Sequence, residues 1–132
     1  MTVLESANLA YRIRITAGDV QARAVLNQSD TARAIWAALP IEARGSTWGD
    51  EIYFGIPVDR GEEEAKAVVE LGDLAYWPPG KAFCIFFGPT PASHGDECRP
   101  ASPVNVVGKI DGDPTTFKRV PSGARVVLAK EE

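Results

Sequence analysis

The way its apolar residues alternate is the strongest constraint on what this chain can fold into. From Leu9 to Ile15, the side chains of Leu9, Tyr11, Ile13 and Ile15 fall on one side and those of Ala10, Arg12 and Arg14 on the other. A period of two belongs to a strand with one face in a core and one in water. Gly18-Asp19 then supplies a turn, and Val20, Ala22, Ala24 and Leu26 continue on one face, so the chain is predicted to open with a β-hairpin.

Short runs of the same kind recur. They cover Ile41–Thr47, Glu51–Ile56, Leu74–Trp77, Ala82–Phe87, Val104–Ile110, Thr116–Val120 and Ala124–Leu128, and glycine- or proline-bearing turns separate most of them. One segment reads differently. Ser29 or Asp30 can cap a helix in which Ala32, Ile35, Trp36 and Leu39 follow helical spacing until Pro40 ends it. This helix is expected to plug one end of the fold, with Trp36 as a large buried anchor. The polar stretch from Val58 to Lys66 carries Glu62-Glu63-Glu64, which reads as a solvated face. Gly88–Pro103 is a long loop rich in proline, either functional or loosely held. The whole chain, residues 1–132, is therefore expected to be one mainly β domain, a barrel or sandwich with one or two short helices.

Charge and cysteine usage narrow the function classes. The net charge of −4 arises from 14 basic and 18 acidic residues spread along the chain, with no basic stripe to neutralise phosphates, so no nucleic-acid partner is expected. Met1-Thr2-Val3-Leu4-Glu5-Ser6-Ala7 lacks the basic stretch and apolar run of a secretory signal. No stretch approaches the about 20 apolar residues that a membrane-spanning helix requires. Cys84 lies in an apolar run and Cys98 in a polar loop, a spacing that suits neither a metal knuckle nor a redox pair. Both are expected to be free thiols in a reducing cytoplasm, with no metal and no cofactor.

Two places are richer than a barrel needs. In Thr47-Trp48-Gly49-Asp50-Glu51-Ile52-Tyr53-Phe54, a strand would put Glu51 and Tyr53 on one face and Ile52 and Phe54 on the other, with Trp48 close behind. A carboxylate, a phenol and an indole side by side could grip a polar ligand, and Glu51 is the candidate catalytic group. The alternative is that Glu51 and Tyr53 face water. The second place runs from Tyr76 to Ser93. There Trp77 and Phe86 flank proline-fixed turns as an aromatic wall, with Thr90 and Ser93 hydroxyls at its rim, while Phe83, Ile85 and Phe87 are expected in the core. The lone histidine, His94, is expected to be exposed and idle, since Ser93 cannot turn toward it and no second histidine supports a zinc site. No phosphate-binding glycine loop and no nucleophile elbow occurs.

Taken together, Leu39-Pro40, Trp48-Gly49-Asp50-Glu51-Ile52-Tyr53-Phe54, Gly72-Asp73-Leu74-Ala75-Tyr76-Trp77-Pro78-Pro79-Gly80 and Phe86-Phe87-Gly88-Pro89-Thr90-Pro91-Ala92-Ser93 resemble the small prokaryotic cyclophilin-like family, once described only as a domain of unknown function. The resemblance spans nearly the whole chain. It implies a closed eight-strand β-barrel of cyclophilin type with a pocket, found in bacteria and archaea. It does not extend to the isomerase motif of true cyclophilins, because the chain has no Phe-His-Arg and places Val68-Val69-Glu70-Leu71 before Gly72-Asp73. A twisted amide is stabilised by hydrogen-bond donors, and an ionised carboxylate cannot donate.

The expected function is binding of a small polar molecule or an extended peptide in an aromatic-walled pocket formed by Trp48, Glu51, Tyr53, Trp77, Phe86, Thr90 and Ser93. Two alternatives use the same groove: a divergent peptidyl-prolyl isomerase, and a small-molecule enzyme with Glu51 as general base.

Overall fold

The computed structural model describes residues 11–131, so Leu9 and Ala10 of the expected first strand, and the segment read for a secretory signal, lie outside the described residues. In chain order the elements are β1 (Arg12–Ala17), β2 (Val20–Leu26), α1 (Asp30–Ala38), β3 (Ile41–Arg44), β4 (Ser46–Thr47), β5 (Glu51–Gly55), β6 (Asp73–Trp77), β7 (Ala82–Phe86), β8 (Asn105–Asp111) and β9 (Arg125–Lys130). Two 3-10 turns, Pro78–Gly80 and Pro114–Arg119, complete them.

All strands form one antiparallel sheet in the order β3-β9-β1-β2-β8-β6-β7-β5-β4. The two ends of that order are neighbours in sequence, separated only by Gly45, and this is what brings the sheet round on itself. Among the described residues nine strand segments stand where eight were expected, because the run Ile41–Thr47 bends at Gly45 and its two halves pair with different partners, β9 and β5. A Cβ at Gly45 would stand 2.8 Å from Ile52 Cγ2 and 3.2 Å from Val126 Cγ2, so the bend passes where no side chain fits. The Gly45 N–H donates to Ala124 O at 2.9 Å, and the Gly123 N–H donates to Gly45 O at 2.7 Å.

The barrel interior is filled from alternate positions of the strands. Ile13, Ile15, Ile52, Phe54, Leu74, Tyr76, Phe83, Ile85, Val107 and Leu128 are buried there, joined by Ile35 of α1. Phe83, Ile85 and Phe87 thus lie in the core as their spacing requires. A second, smaller core lies on the other face of the sheet, where Ala75, Cys84 and Phe86 meet Val69, Cys98 and Val104. Two isolated bridges, Lys66 with Val104 and Val69 with Cys98, lace the covering segments together. Cys98, expected in a polar loop, is therefore buried, and both cysteines are free thiols.

Three further expectations change, and one open alternative is decided. Thr116–Val120 is not a strand: Asp113 caps a 3-10 turn that starts at Pro114 and buries Phe117. Proline fits the first turn of a helix because its missing N–H would have had no partner there. Trp36 is only half-buried, edge-on to Tyr11 at 5.3 Å and under Lys130 Nζ at 4.7 Å, while Ile35 is the helix's anchor. Glu63 is not a bystander in a solvated run. Its carboxylate accepts from the Asp30 N–H at 3.0 Å, the Thr31 N–H at 2.9 Å and the Thr31 hydroxyl at 2.7 Å, capping α1 together with Ser29. The long loop is held by its own hydrogen bonds, described below, rather than hanging loose. Among the described residues no helix is long and apolar enough to cross a membrane.

Candidate functional site

The site begins with a hairpin. Trp48 N–H donates to Glu51 O at 2.9 Å, leaving Gly49-Asp50 as a two-residue loop with Gly49 at φ +61°. Hairpin loops of this length need a positive φ, which glycine adopts without steric cost. A Cβ on Gly49 would also stand 2.9 Å from Thr90 Cα, because the loop 87–91 packs directly on the hairpin tip. Asp50 N–H donates to Pro89 O and Phe87 N–H to Asp50 O, each at 2.9 Å. The two motifs that stood out in the sequence are thus one structural unit.

From that tip, β5 runs along β7 with Glu51 opposite Phe86 and Tyr53 opposite Cys84. Directly opposed residues in an antiparallel pair share a face. Glu51, Tyr53, Cys84 and Phe86 therefore point out of the barrel, and Ile52 and Phe54 point in. The long loop folds over part of that outward face, burying Glu51 while Tyr53 stays exposed at the edge. Trp48, Glu51, Tyr53 and Trp77 line a cavity of about 270 Å³, closed on the loop side by Pro100 and Ala101. Pro100 and Ala101 were not expected as site residues. The only sequence signal for them was the proline-rich character of Gly88–Pro103.

Phe86, Thr90 and Ser93 do not line this cavity. Phe86 is fully buried in the small core beneath it. Thr90 and Ser93 tie the loop instead of offering hydroxyls at a rim. The Thr90 hydroxyl donates to Arg99 O, and Ser93 Oγ accepts from the Thr90 N–H at 2.9 Å and the Arg99 N–H at 3.2 Å. His94 is exposed, with Glu97 accepting from its backbone N–H at 2.9 Å. Among the described residues no group of three or more His, Cys, Asp or Glu side chains is placed to hold a metal ion.

Glu51 is the chemically distinct member of the cavity. It is 5% exposed among aromatic and aliphatic neighbours. Burial penalises the charged form and pushes its pKa up to about 7, against a smaller lowering from the Cys84 thiol. Burial also raises the Cys84 thiol, and the neighbouring Glu51 raises it further, so Cys84 stays protonated near neutrality. The arrangement gives one carboxyl able to gain or lose a proton near neutral pH, walled by two indoles and a phenol.

The sequence profile of the cyclophilin-like family matches residues 11–129. This chain belongs to the cyclophilin-like family. Among solved structures it resembles a hypothetical protein from Archaeoglobus fulgidus, whose structure was determined in solution, with 44% sequence identity and a TM-score of 0.79. The alignment covers 94% of this chain and 97% of that one. No curated protein matches the chain in sequence. Family membership and the barrel agree with each other, and the chemistry has to be read from the cavity.

Proposed function

We propose that this cyclophilin-like barrel is a binding protein that takes a small polar molecule, or one residue of an extended peptide, into the cavity lined by Trp48, Glu51, Tyr53 and Trp77. The observation that carries the reading is the Glu51 carboxyl, 5% exposed and set in a lining otherwise made of aromatic and small apolar side chains. Concave apolar walls with one placed polar group are the usual form of a small-ligand site, the walls supplying affinity and the polar group orientation. A thermal-shift ligand screen on the parent, Glu51→Gln and Tyr53→Phe tests it. Hits should lose most of their shift in Glu51→Gln and part of it in Tyr53→Phe. Hits that shift all three proteins equally would move the site elsewhere.

A second reading rests on the raised pKa. A carboxylate poised near neutrality suits a general base, since it is partly ionised yet basic enough to accept a proton. That reading requires turnover whose rate titrates with Glu51. The prolyl isomerase alternative has less support, because the lining offers a carboxyl and no Arg or His donor. Its assay is catalysed cis/trans exchange in Ala-Pro peptides, for which no rate above the spontaneous one is expected.

A further inference from the structure

Of the charged side chains among the described residues, only Glu51 and Asp73 are buried, and they are treated differently by the fold. Asp73 has its counter-charge: Lys109 Nζ lies 3.3 Å from its Oδ1, and the Glu70 N–H donates to its Oδ2 at 2.8 Å. Glu51 has none, since among the described residues no Lys, Arg or His nitrogen comes within ion-pair distance of it. A buried carboxylate without a partner is costly, and the cost falls when a cation arrives.

We propose that the cavity takes an organic cation, a small substituted ammonium whose charge sits against the Glu51 carboxylate and whose alkyl groups lie against Trp48, Tyr53 and Trp77. This rests on the reading of the cavity as a binding site and names the class of ligand. Aromatic faces attract cations through their quadrupoles, and alkylammonium groups also bury apolar area on them. Trp77 can offer only ring surface, because its indole N–H is already committed to Ser102 Oγ at 2.7 Å. A bare metal ion is a poorer fit to the donor set, since hard cations take six or more oxygen ligands and this lining supplies one carboxylate. The size agrees as well: about 270 Å³ lies below the range of about 300–1,000 Å³ that drug-sized ligands occupy.

Binding should be coupled to ionisation. The groups facing Glu51 are Tyr53 on its own strand, Cys84 and Phe86 from β7, and the Trp48, Trp77 and Pro100-Ala101 walls, and none of them brings a positive charge. A bound cation favours the charged carboxylate, so affinity rises with pH as Glu51 ionises around neutrality.

The test is a titration of choline, and of its neutral isostere 3,3-dimethylbutan-1-ol, into the full chain, followed by the indole N–H resonances of Trp48 and Trp77. At about pH 8 choline should bind at least about tenfold more tightly than the alcohol, and its affinity should fall severalfold by about pH 6. Glu51→Gln should abolish the preference, while the comparison of ligands and the pH series use the parent and do not depend on how the variant folds. If the alcohol binds as tightly as choline, the cation is wrong and the cavity reading stands. If neither moves the indole resonances at millimolar concentration, both are overturned.

Discussion

The Trp77 indole N–H donates to Ser102 Oγ at 2.7 Å, which ties the end of β6 to the loop that closes the cavity. Trp77 is a wall and Ser102 follows Pro100-Ala101, so this bond sets the gap between wall and cover. Ser102→Ala should cost about 1 kcal/mol in stability, the usual net worth of one hydrogen bond. Its effect on ligand affinity should be larger than that of a remote surface change. Calorimetric binding beside chemical denaturation checks this, and unchanged affinity would show that the cover is held by other contacts.

Glu51 gives a pH dependence with a definite sign. Its pKa rises from 4.5 to about 7 on folding, so between those values the folded state holds a proton that the unfolded chain has released. The stability it contributes is complete below about pH 4.5 and is lost as pH rises through about 7. At about 1.4 kcal/mol per pH unit the loss amounts to roughly 3 kcal/mol at full ionisation. Glu51→Gln removes this charging step. It should match the parent near pH 4.5 and exceed it in stability near pH 8, in the absence of ligand. A difference that does not change with pH would contradict the burial of the carboxyl.

Glu63 caps a helix from a distant part of the chain. Its pKa is lowered by the hydrogen bonds it accepts from Thr31 and Asp30, so the ionised form is the one the fold uses. Glu63→Ala should destabilise the protein by about 1–2 kcal/mol, in the range of a lost N-cap, while leaving the cavity intact. Below the ordinary carboxyl range the parent should lose this advantage, because the protonated acid accepts more weakly. Denaturant melts at acid and neutral pH distinguish the two cases.

Gly45 is where the barrel closes. Gly45→Ala would drive a Cβ to 2.8 Å from Ile52 Cγ2, inside a packed core, and should cost about 1–3 kcal/mol. The measurement is again equilibrium unfolding, with circular dichroism to show that the strand content survives. A neutral effect would mean that β3 and β4 can part without disturbing the closure.

Alternation along each strand was enough to show that Glu51 and Tyr53 share a face opposite Ile52 and Phe54, because successive side chains leave a strand on opposite sides whatever lies around it. The same local physics made the opening hairpin and the Ser29 cap legible, and the paired motifs around Gly49 and Thr90 pointed to the family. Which face is inside is a different matter. It depends on β5 pairing with β7 and on the sheet turning back at Gly45, and those contacts join residues far apart in the chain. The cavity itself needed the loop carrying Pro100 and Ala101 to lie over Trp77. Glu63 looked like one acid in a solvated run until the fold carried it to the start of α1. Short-range periodicity reports how a segment buries one side of itself, whereas a cover, a distant cap and a counter-charge withheld from Glu51 exist only once separate segments have been brought together.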